Sequence, residues 1–212
     1  MTEKRVFISH AVADNGLVEA FVNLLTDGIG VPDNVIFCSS VKGFDIPTGS
    51  QFIDYIRKQM DGSLFVIMLI SPNYLASPFC HAEAGAAWVK ATDIFPIVIP
   101  PAGFGDLKGV LGDRQAIRIA DDVAYNGLRE QLSELLEFTP KNSARWDTKR
   151  KTYFATLPSL LEVLPTPSMV PVSEIDEIKK QYEESLCEIK SLDEEIIVLK
   201  KENRRFEGAQ RC

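Results

Sequence analysis

Short apolar runs alternate with amphipathic stretches along residues 1–140. One of these runs, Leu64–Ile70, is continuously apolar, which is typical of a strand buried on both faces of a parallel sheet. The alternation predicts an α/β domain in which a parallel sheet of about five strands is covered by helices on both faces. The predicted strands are Arg5–Ser9, Val35–Cys38, Leu64–Ile70, Ile94–Ile99 and Ala116–Ile119.

Helix signals occupy the intervals between these strands. Asp14 is placed to cap the first helix, and Gly28 and Gly30 are placed to stop it. A helix over Asn73–Ala91 must bend or restart at Pro78, because proline has no backbone N–H to donate. The remaining predicted helices are Ser50–Met60 and Val123–Phe138.

The character of the chain changes beyond Pro140. Five basic residues stand against the single acidic Asp147 between positions 141 and 151, on a stretch that predicts one helix running towards Leu161. This basic segment is either a contact for an acidic partner or a nucleotide phosphate, or a solvated helix face. The predicted organisation is a domain at 1–140, a basic helical extension at 141–163, a proline-rich linker at 164–172 and an oligomerisation helix at 173–207.

The oligomerisation helix is predicted from apolar positions that recur at alternating spacings of three and four for more than four heptads. Its seam is Ile175, Ile178, Tyr182, Ser185, Ile189, Leu192, Ile196, Leu199, Asn203 and Phe206. The pattern is typical of a coiled coil, and isoleucine at a positions with leucine at d favours a parallel dimer whose register Asn203 can fix. The alternative is a lone surface helix packed on the domain, but the narrow apolar stripe favours self-association.

With 212 residues, 45% of them hydrophobic and 25% charged, the chain has the composition of a soluble globular protein. The longest apolar run is too short to cross a bilayer and no signal-peptide core is present, so we expect a cytoplasmic protein that engages no membrane. Four scattered cysteines and two histidines predict neither a disulfide framework nor a metal site. A net charge of −7 argues against nucleic-acid binding.

The glycine-rich segments do not fit the known nucleotide-binding motifs. Gly28-Ile-Gly30 lies at a predicted helix end, whereas a dinucleotide loop lies between a strand and a helix. Gly103-Phe-Gly105 follows a strand, but it lacks the amphipathic helix that would hold a pyrophosphate. The chain has neither a P-loop motif nor the nucleophile elbow of α/β-hydrolases. We therefore expect the chemistry at the carboxyl ends of the strands, where open α/β sheets bind ligands.

Three sequence blocks lie at or directly after those strand ends. They are Val6-Phe-Ile-Ser-His10, Val41-Lys-Gly-Phe-Asp-Ile-Pro-Thr-Gly-Ser50 and Ser71-Pro-Asn-Tyr-Leu-Ala-Ser-Pro-Phe-Cys-His-Ala-Glu83. They resemble, in turn, the opening strand, the BB loop and the S-x-x-Y-x-x-S-x-W-C-x-x-E stretch of a Toll/interleukin-1 receptor (TIR) domain of the bacterial, NAD-degrading kind. Phe79 stands where that family usually has tryptophan. The resemblance covers roughly residues 4–138 and implies a flavodoxin-like TIR fold.

Glu83 lies among small apolar residues, so its carboxylate is expected to be partly buried and to need a partner. From the residues alone it is either a functional carboxylate or a structural one satisfied by a backbone donor or an arginine. The resemblance implies that it is the catalytic glutamate of an NAD⁺ glycohydrolase or ADP-ribosyl cyclase. One carboxylate suffices for that reaction because nicotinamide leaves from a cationic pyridinium, so no general acid is required.

Further candidates for contact with NAD⁺ lie at the same edge, namely Ser9, His10, Phe44, Asp45, Phe79 and Cys80. Ser9 and His10 are expected on the pocket floor, and Phe44 and Asp45 on a loop that covers it. Phe79 is expected to pack against the ribose or nicotinamide. The structural alternatives are that Phe79 belongs to the core, that His10 caps a strand end and that Phe44 is an interaction residue on an exposed loop.

The resemblance also implies partners. NAD⁺ is the expected substrate, with no separate cofactor, and the expected product is linear or cyclic ADP-ribose that activates a downstream effector in a Thoeris-like antiphage system. A composite site between subunits implies a homo-oligomer through TIR and coiled-coil contacts. Two alternatives remain open: a non-enzymatic TIR adaptor or virulence scaffold, and an enzyme like nucleoside 2-deoxyribosyltransferase, which the second block and the coiled coil fit less well.

Overall fold

The computed structural model describes residues 5–44, 56, 58–59, 62–89, 93–107 and 115–167. Within these ranges five strands form one sheet: β1 (Val6–Ser9), β2 (Ile36–Phe37), β3 (Phe65–Ile70), β4 (Asp93–Val98) and β5 (Ile117–Arg118). Their order is β2-β1-β3-β4-β5, and every neighbouring pair is parallel. This is the flavodoxin-like order, so the predicted parallel sheet is confirmed.

The first helix is longer than its α-helical part. Helix α1 (Asn15–Asn23) continues without a break into a π-helical turn, Leu24–Ile29. Gly30 ends it with a φ of 96°, a left-handed conformation that favours glycine. A Cβ atom at this position would also come within 2.9 Å of the Lys141 side chain. The predicted stop is therefore confirmed at Gly30.

The predicted helix over Asn73–Ala91 is two helices, because Pro78 starts a new one. Helix α2 (Pro72–Ala76) begins after Ser71, whose hydroxyl caps it by accepting from the Tyr74 amide at 3.0 Å. Ser77 is extended and ends α2, and helix α3 (Pro78–Val89) begins directly after it. Of the two predicted effects of Pro78, bending and restarting, the structure shows the restart.

Helices α4 (Ala124–Leu135) and α5 (Ser143–Glu162) complete the described part of the chain. Helix α5 matches the single helix predicted beyond Pro140, and it buries Trp146, Tyr153 and Leu157. The Tyr153 ring lies 6.5 Å from that of Phe21 on α1 and 6.0 Å from that of Tyr125 on α4. Aromatic contacts with α1 and α4 thus join α5 to the α/β core.

Basic residues of α5 pair with acidic residues of the same chain. Lys149 Nζ lies 2.7 Å from Asp27 Oδ2, and Arg150 Nε lies 3.1 Å from Asp122 Oδ1. The Arg150 guanidinium also lies 5.6 Å from the centre of the Trp146 ring. Part of the predicted basic segment is therefore engaged in intramolecular ion pairs rather than presented to a partner.

The side chains of β1 alternate between two core clusters on opposite faces of the sheet. Val6 and Ile8 belong to the cluster formed with α1, α4 and α5. Phe7 belongs to the cluster formed with β3, α2 and α3. Ser9 follows Phe7 by two residues, so it shares a face with α2 and α3. This alternation carries the Ser9 hydroxyl to the residues that follow β3.

Residues up to Pro167 belong to one compact unit. The predicted coiled coil at 173–207, the linker beyond Pro167, Asp45 and most of the helix predicted at Ser50–Met60 lie outside the described residues. The coiled coil and the division of the chain into four segments therefore stay predictions. Among the described helices, none is long and apolar enough to cross a membrane.

Candidate active site

Ser9 and Glu83 meet at the carboxyl end of the sheet. Ser9 is the last residue of β1, and Glu83 lies on α3, which packs on the same face. The Ser9 hydroxyl donates to Glu83 Oε2 at 2.6 Å, and both side chains are buried. The strand order reverses between β1 and the central β3, so this carboxylate lies at the switch point where α/β sheets of this type bind ligands.

A second hydroxyl group lies behind Ser9. The Tyr74 hydroxyl is 3.1 Å from Ser9 Oγ and donates to the backbone carbonyl of Cys80 at 3.2 Å. Tyr74 is fully buried, since Ser71 starts α2 at the end of β3 and directs the first turn of the helix back onto the sheet. The end of β1 and the two short-spaced helices α2 and α3 therefore converge on Ser9 and Glu83.

Burial makes Glu83 a weaker acid than an exposed glutamate. Removal of the carboxylate from water raises the pKa of Glu83 to about 7, and the hydrogen bond from Ser9 opposes that rise. A carboxyl group with a pKa near neutrality exists in both protonation states at physiological pH. Perturbed carboxyl groups in a crevice are more frequent at functional sites than elsewhere.

His10 follows Ser9, but its ring is held by other groups. Its Nδ1 donates to the Ile8 carbonyl at 2.9 Å, and its Nε2 lies 2.6 Å from the Ser40 hydroxyl. Burial lowers the pKa of His10, which favours the neutral imidazole. The backbone carbonyl of His10 accepts a long hydrogen bond, 3.5 Å, from the Cys80 thiol. His10 therefore connects the end of β1 with the loop after β2, and its ring contacts Ser40 rather than Glu83.

A buried carboxylate that sequence analysis assigned to a helix cap lies beside this group. Asp14 is fully buried and occupies the N-cap position of α1, but its side chain makes no capping hydrogen bond there. Instead it accepts hydrogen bonds from the Ser71 hydroxyl and, at 2.7 Å, from the Asn73 side-chain amide. The prediction that the Asp14 side chain caps α1 was therefore wrong. Its carboxylate is hydrogen-bonded instead by the Ser71 and Asn73 side chains, which follow β3.

Comparison with known proteins identifies the family. Residues 6–136 match the TIR domain family. This chain belongs to the TIR-domain family. It is also similar to YddK, an uncharacterized protein of Bacillus subtilis strain 168, with 31% identity over 157 residues that make up 70% of this chain. The chain spans 58% of the length of that relative.

Within this TIR domain, the structure brings together part of the predicted set. Ser9, Cys80 and Glu83 are buried around one point, with the Cys80 thiol directed at the His10 carbonyl and its carbonyl at Tyr74. Burial raises the pKa of the Cys80 thiol to about 11, so it is a neutral packing group at physiological pH. Phe79, at the start of α3, is 40% exposed.

The BB-loop residues of the TIR domain are placed differently. Phe44 is half-buried and packs against the core cluster on the face of α1, and its carbonyl accepts from the Cys38 amide at 3.0 Å. Asp45 lies outside the described residues. Contact of Phe44 and Asp45 with a substrate therefore stays a prediction. No group of three or more histidine, cysteine or acidic residues forms a metal-binding cluster in the described ranges.

Sequence analysis did not assign a role to Tyr74, Asp14 or Asn73 at this site. Tyr74 lay inside the third sequence block, and its spacing of three from Ser71 was the available signal. The contact of Asp14 with Asn73 spans 59 residues of chain, and no local pattern predicts it. Both cases depend on how β1 and β3 lie side by side.

Proposed function

We propose that this TIR-domain protein cleaves the N-glycosidic bond between nicotinamide and ribose in NAD⁺. The observation that carries the proposal is the buried Glu83 carboxyl group, which accepts from Ser9 at 2.6 Å at the switch point of the sheet. TIR domains include NAD-cleaving enzymes, so family membership and site geometry support the same reaction. The presence of a glutamate at position 83, where the resemblance implies the catalytic one, favours an enzyme over the adaptor interpretation.

The chemistry matches what this site contains. Nicotinamide leaves as a neutral base from a cationic ring, so the reaction needs stabilisation of positive charge at the anomeric carbon of the ribose rather than a general acid. An ionised Glu83, pre-oriented by the Ser9 hydroxyl, supplies a fixed negative charge for that carbon. The same carboxylate oxygens can accept hydrogen bonds from ribose hydroxyl groups. In this proposal NAD⁺ is the substrate, without a separate cofactor.

The fate of the ribosyl cation defines the product. Attack by water gives ADP-ribose, and attack by a nitrogen of the adenine ring gives a cyclic isomer. We propose that the product acts in the cytoplasm as a signal for a downstream effector in antiphage defence. TIR domains commonly self-associate, and a coiled coil at 173–207 would raise the effective concentration of two domains to roughly millimolar.

The test is NAD⁺ consumption at high protein concentration, with and without lysate from phage-infected cells, and with products resolved by chromatography and mass spectrometry. We expect turnover by the wild type and a loss of roughly 100-fold or more in Glu83→Gln, as for removal of a preorganised electrostatic group. Glu134→Gln is the matched control, because Glu134 is an exposed carboxylate on α4. Full turnover by a folded Glu83→Gln protein would contradict the catalytic role. Absence of turnover in every condition, from folded and oligomeric wild type, would favour the scaffold interpretation.

A further inference from the structure

Three buried contacts form a continuous chain that ends at Glu83. Glu83 Oε2 lies 2.6 Å from Ser9 Oγ, Ser9 Oγ lies 3.1 Å from the Tyr74 hydroxyl, and that hydroxyl lies 3.2 Å from the Cys80 carbonyl oxygen. The side chains of Ser9 and Tyr74 are almost completely inaccessible to solvent. Protons for these three contacts must therefore come from the groups themselves.

The number of protons in this chain depends on the state of Glu83. A carboxylate and a backbone carbonyl only accept, so with Glu83 ionised the hydroxyl protons of Ser9 and Tyr74 must serve all three contacts. One contact then lacks a proton, whichever way Tyr74 points. With Glu83 protonated, each contact has a proton of its own, and donation runs from Glu83 to Ser9, to Tyr74 and to the Cys80 carbonyl.

Neighbouring titratable groups do not change the number of protons available to these three contacts. Burial raises the pKa of Tyr74, and it raises that of Cys80 to about 11, so both stay neutral near pH 7. His10 interacts electrostatically with Asp14, and its ring contacts Ser40. Among the described residues, Ser9 is therefore the one whose hydrogen bond with Glu83 differs between the ionised and protonated forms. Tyr74 affects this hydrogen bond through its own contact with Ser9.

We infer that Tyr74 is a positioning residue that acts through Ser9, orienting the Glu83 carboxyl group and favouring its protonated form before substrate binds. The inference rests on the proposed function for its catalytic meaning, but the proton chain itself is a property of the free protein. Tyr74 touches no reacting atom in this scheme. It sets the fraction of Glu83 that is ready to stabilise positive charge at a given pH.

The substitution Tyr74→Phe removes one hydroxyl group and keeps the ring. The protonated form of Glu83 then loses two hydrogen bonds of the chain, whereas the ionised form loses one. The ionised form is therefore stabilised relative to the protonated form by about the free energy of one neutral hydrogen bond. We expect the pKa of Glu83 to fall by roughly half a unit to one unit. Ser9→Ala also removes two hydrogen bonds from the protonated form, but it leaves the ionised Glu83 buried without its donor, which costs more, so the pKa of Glu83 should rise instead. Opposite shifts from two adjacent residues are not expected from a packing role.

The experiment is a titration of the Glu83 carboxyl carbon by ¹³C NMR in the free protein, for wild type, Tyr74→Phe and Ser9→Ala. The matched control is Tyr125→Phe, since Tyr125 is also fully buried and donates to a carbonyl, that of Ile119, at 3.1 Å. We expect the control to leave the Glu83 titration unchanged. An unchanged or raised pKa in folded Tyr74→Phe would overturn the inference.

Two additions keep the test decisive. If Tyr74→Phe does not fold, replacing the five tyrosines with 3-fluorotyrosine weakens the hydroxyl as an acceptor and strengthens it as a donor. The pKa of Glu83 should then fall, and a constant value would overturn the inference. The titration requires no turnover, so absence of NAD⁺ cleavage would refute the proposed function alone. Where cleavage occurs, the acidic limb of kcat/KM against pH should shift with the NMR value in Tyr74→Phe and not in Tyr125→Phe.

Discussion

The side-chain amide of Asn73 donates to the backbone carbonyl of Pro165, 2.7 Å away and 92 residues later in the chain. The same nitrogen donates to Asp14 Oδ1, also at 2.7 Å. Its two hydrogens thus join the buried carboxylate after β1 to the segment that leaves α5. The start of the predicted linker lies at the carboxyl edge of the sheet, next to the candidate active site.

The first prediction concerns this bridge. Asn73→Ala removes both hydrogen bonds and leaves Asp14 with the Ser71 hydroxyl as its remaining donor among the contacts described above. We expect a stability loss of about 1–3 kcal/mol, because a buried carboxylate loses a partner. Hydrogen exchange of the amides in residues 163–167 should also become faster, since their attachment to α2 is lost.

The control for this prediction is Asn142→Ala. Asn142 caps α5 by accepting from the Arg145 amide at 2.9 Å, so its removal costs about 1 kcal/mol through a different contact. Exchange at residues 163–167 should change little in this variant. Equal exchange rates in Asn73→Ala and in the wild type would show that the Asn73 contact does not hold this segment.

Stability should depend on pH through Glu83. Its pKa in the folded protein, about 7, exceeds the usual value of 4.5, so the folded state binds this proton more tightly than the unfolded state. The stability that this difference gives is present below pH 4.5 and is lost as pH rises towards 7, by about 3 kcal/mol. Glu83→Gln cannot ionise, so it should be more stable than the wild type at pH 8 and similar to it at pH 4.

Urea unfolding of wild type and Glu83→Gln at both pH values measures this difference. Glu134→Gln serves as the reference for the loss of a carboxylate that is already exposed. Its stability relative to the wild type should vary little between the two pH values. A Glu83→Gln protein that is less stable than the wild type at pH 8 would assign Glu83 a structural role instead.

The fold could be predicted from the sequence where local pattern and global packing agree. The continuous apolar run Leu64–Ile70 contains the central strand β3, Phe65–Ile70, which is buried throughout, because strands covered on both faces carry no polar positions. Gly30 ends the first helix where a left-handed conformation is needed. In both cases one feature of the backbone environment determines the residue type.

The site was less predictable, because its contacts cross between strands. Ser9 was a candidate from its position at the end of a strand and Glu83 from its apolar surroundings and the family resemblance, but their hydrogen bond spans 74 residues of chain. Asp14 looked like a helix cap because aspartate is typical of that position, yet donors from the neighbouring strand end compete for it. Phe44 packs partly buried against the core cluster on the face of α1, and its predicted contact with a substrate stays a prediction.

Activity should depend on pH in the same range as the Glu83 titration. If ionised Glu83 stabilises the ribosyl cation, kcat/KM for NAD⁺ should rise with pH and reach half its maximum near pH 7. Ser9→Ala removes the hydrogen bond that holds this pKa down, so the midpoint should move about one unit towards alkaline pH. A midpoint near pH 4.5 in the wild type would contradict the burial argument.

The attachment of α5 should depend on apolar packing rather than on charge. Tyr153→Ala removes a buried ring that contacts Phe21 and Tyr125, and we expect a loss of about 3–5 kcal/mol in the free energy of unfolding. Lys149→Ala removes the ion pair with Asp27, whose side chains are 37% and 53% exposed, and should cost less than about 1 kcal/mol. Both variants should be compared with the wild type by urea unfolding at low salt, because ion pairs are strongest under that condition. If Lys149→Ala lowers the free energy of unfolding at low salt as much as Tyr153→Ala does, ion pairs rather than aromatic packing attach α5 to the domain.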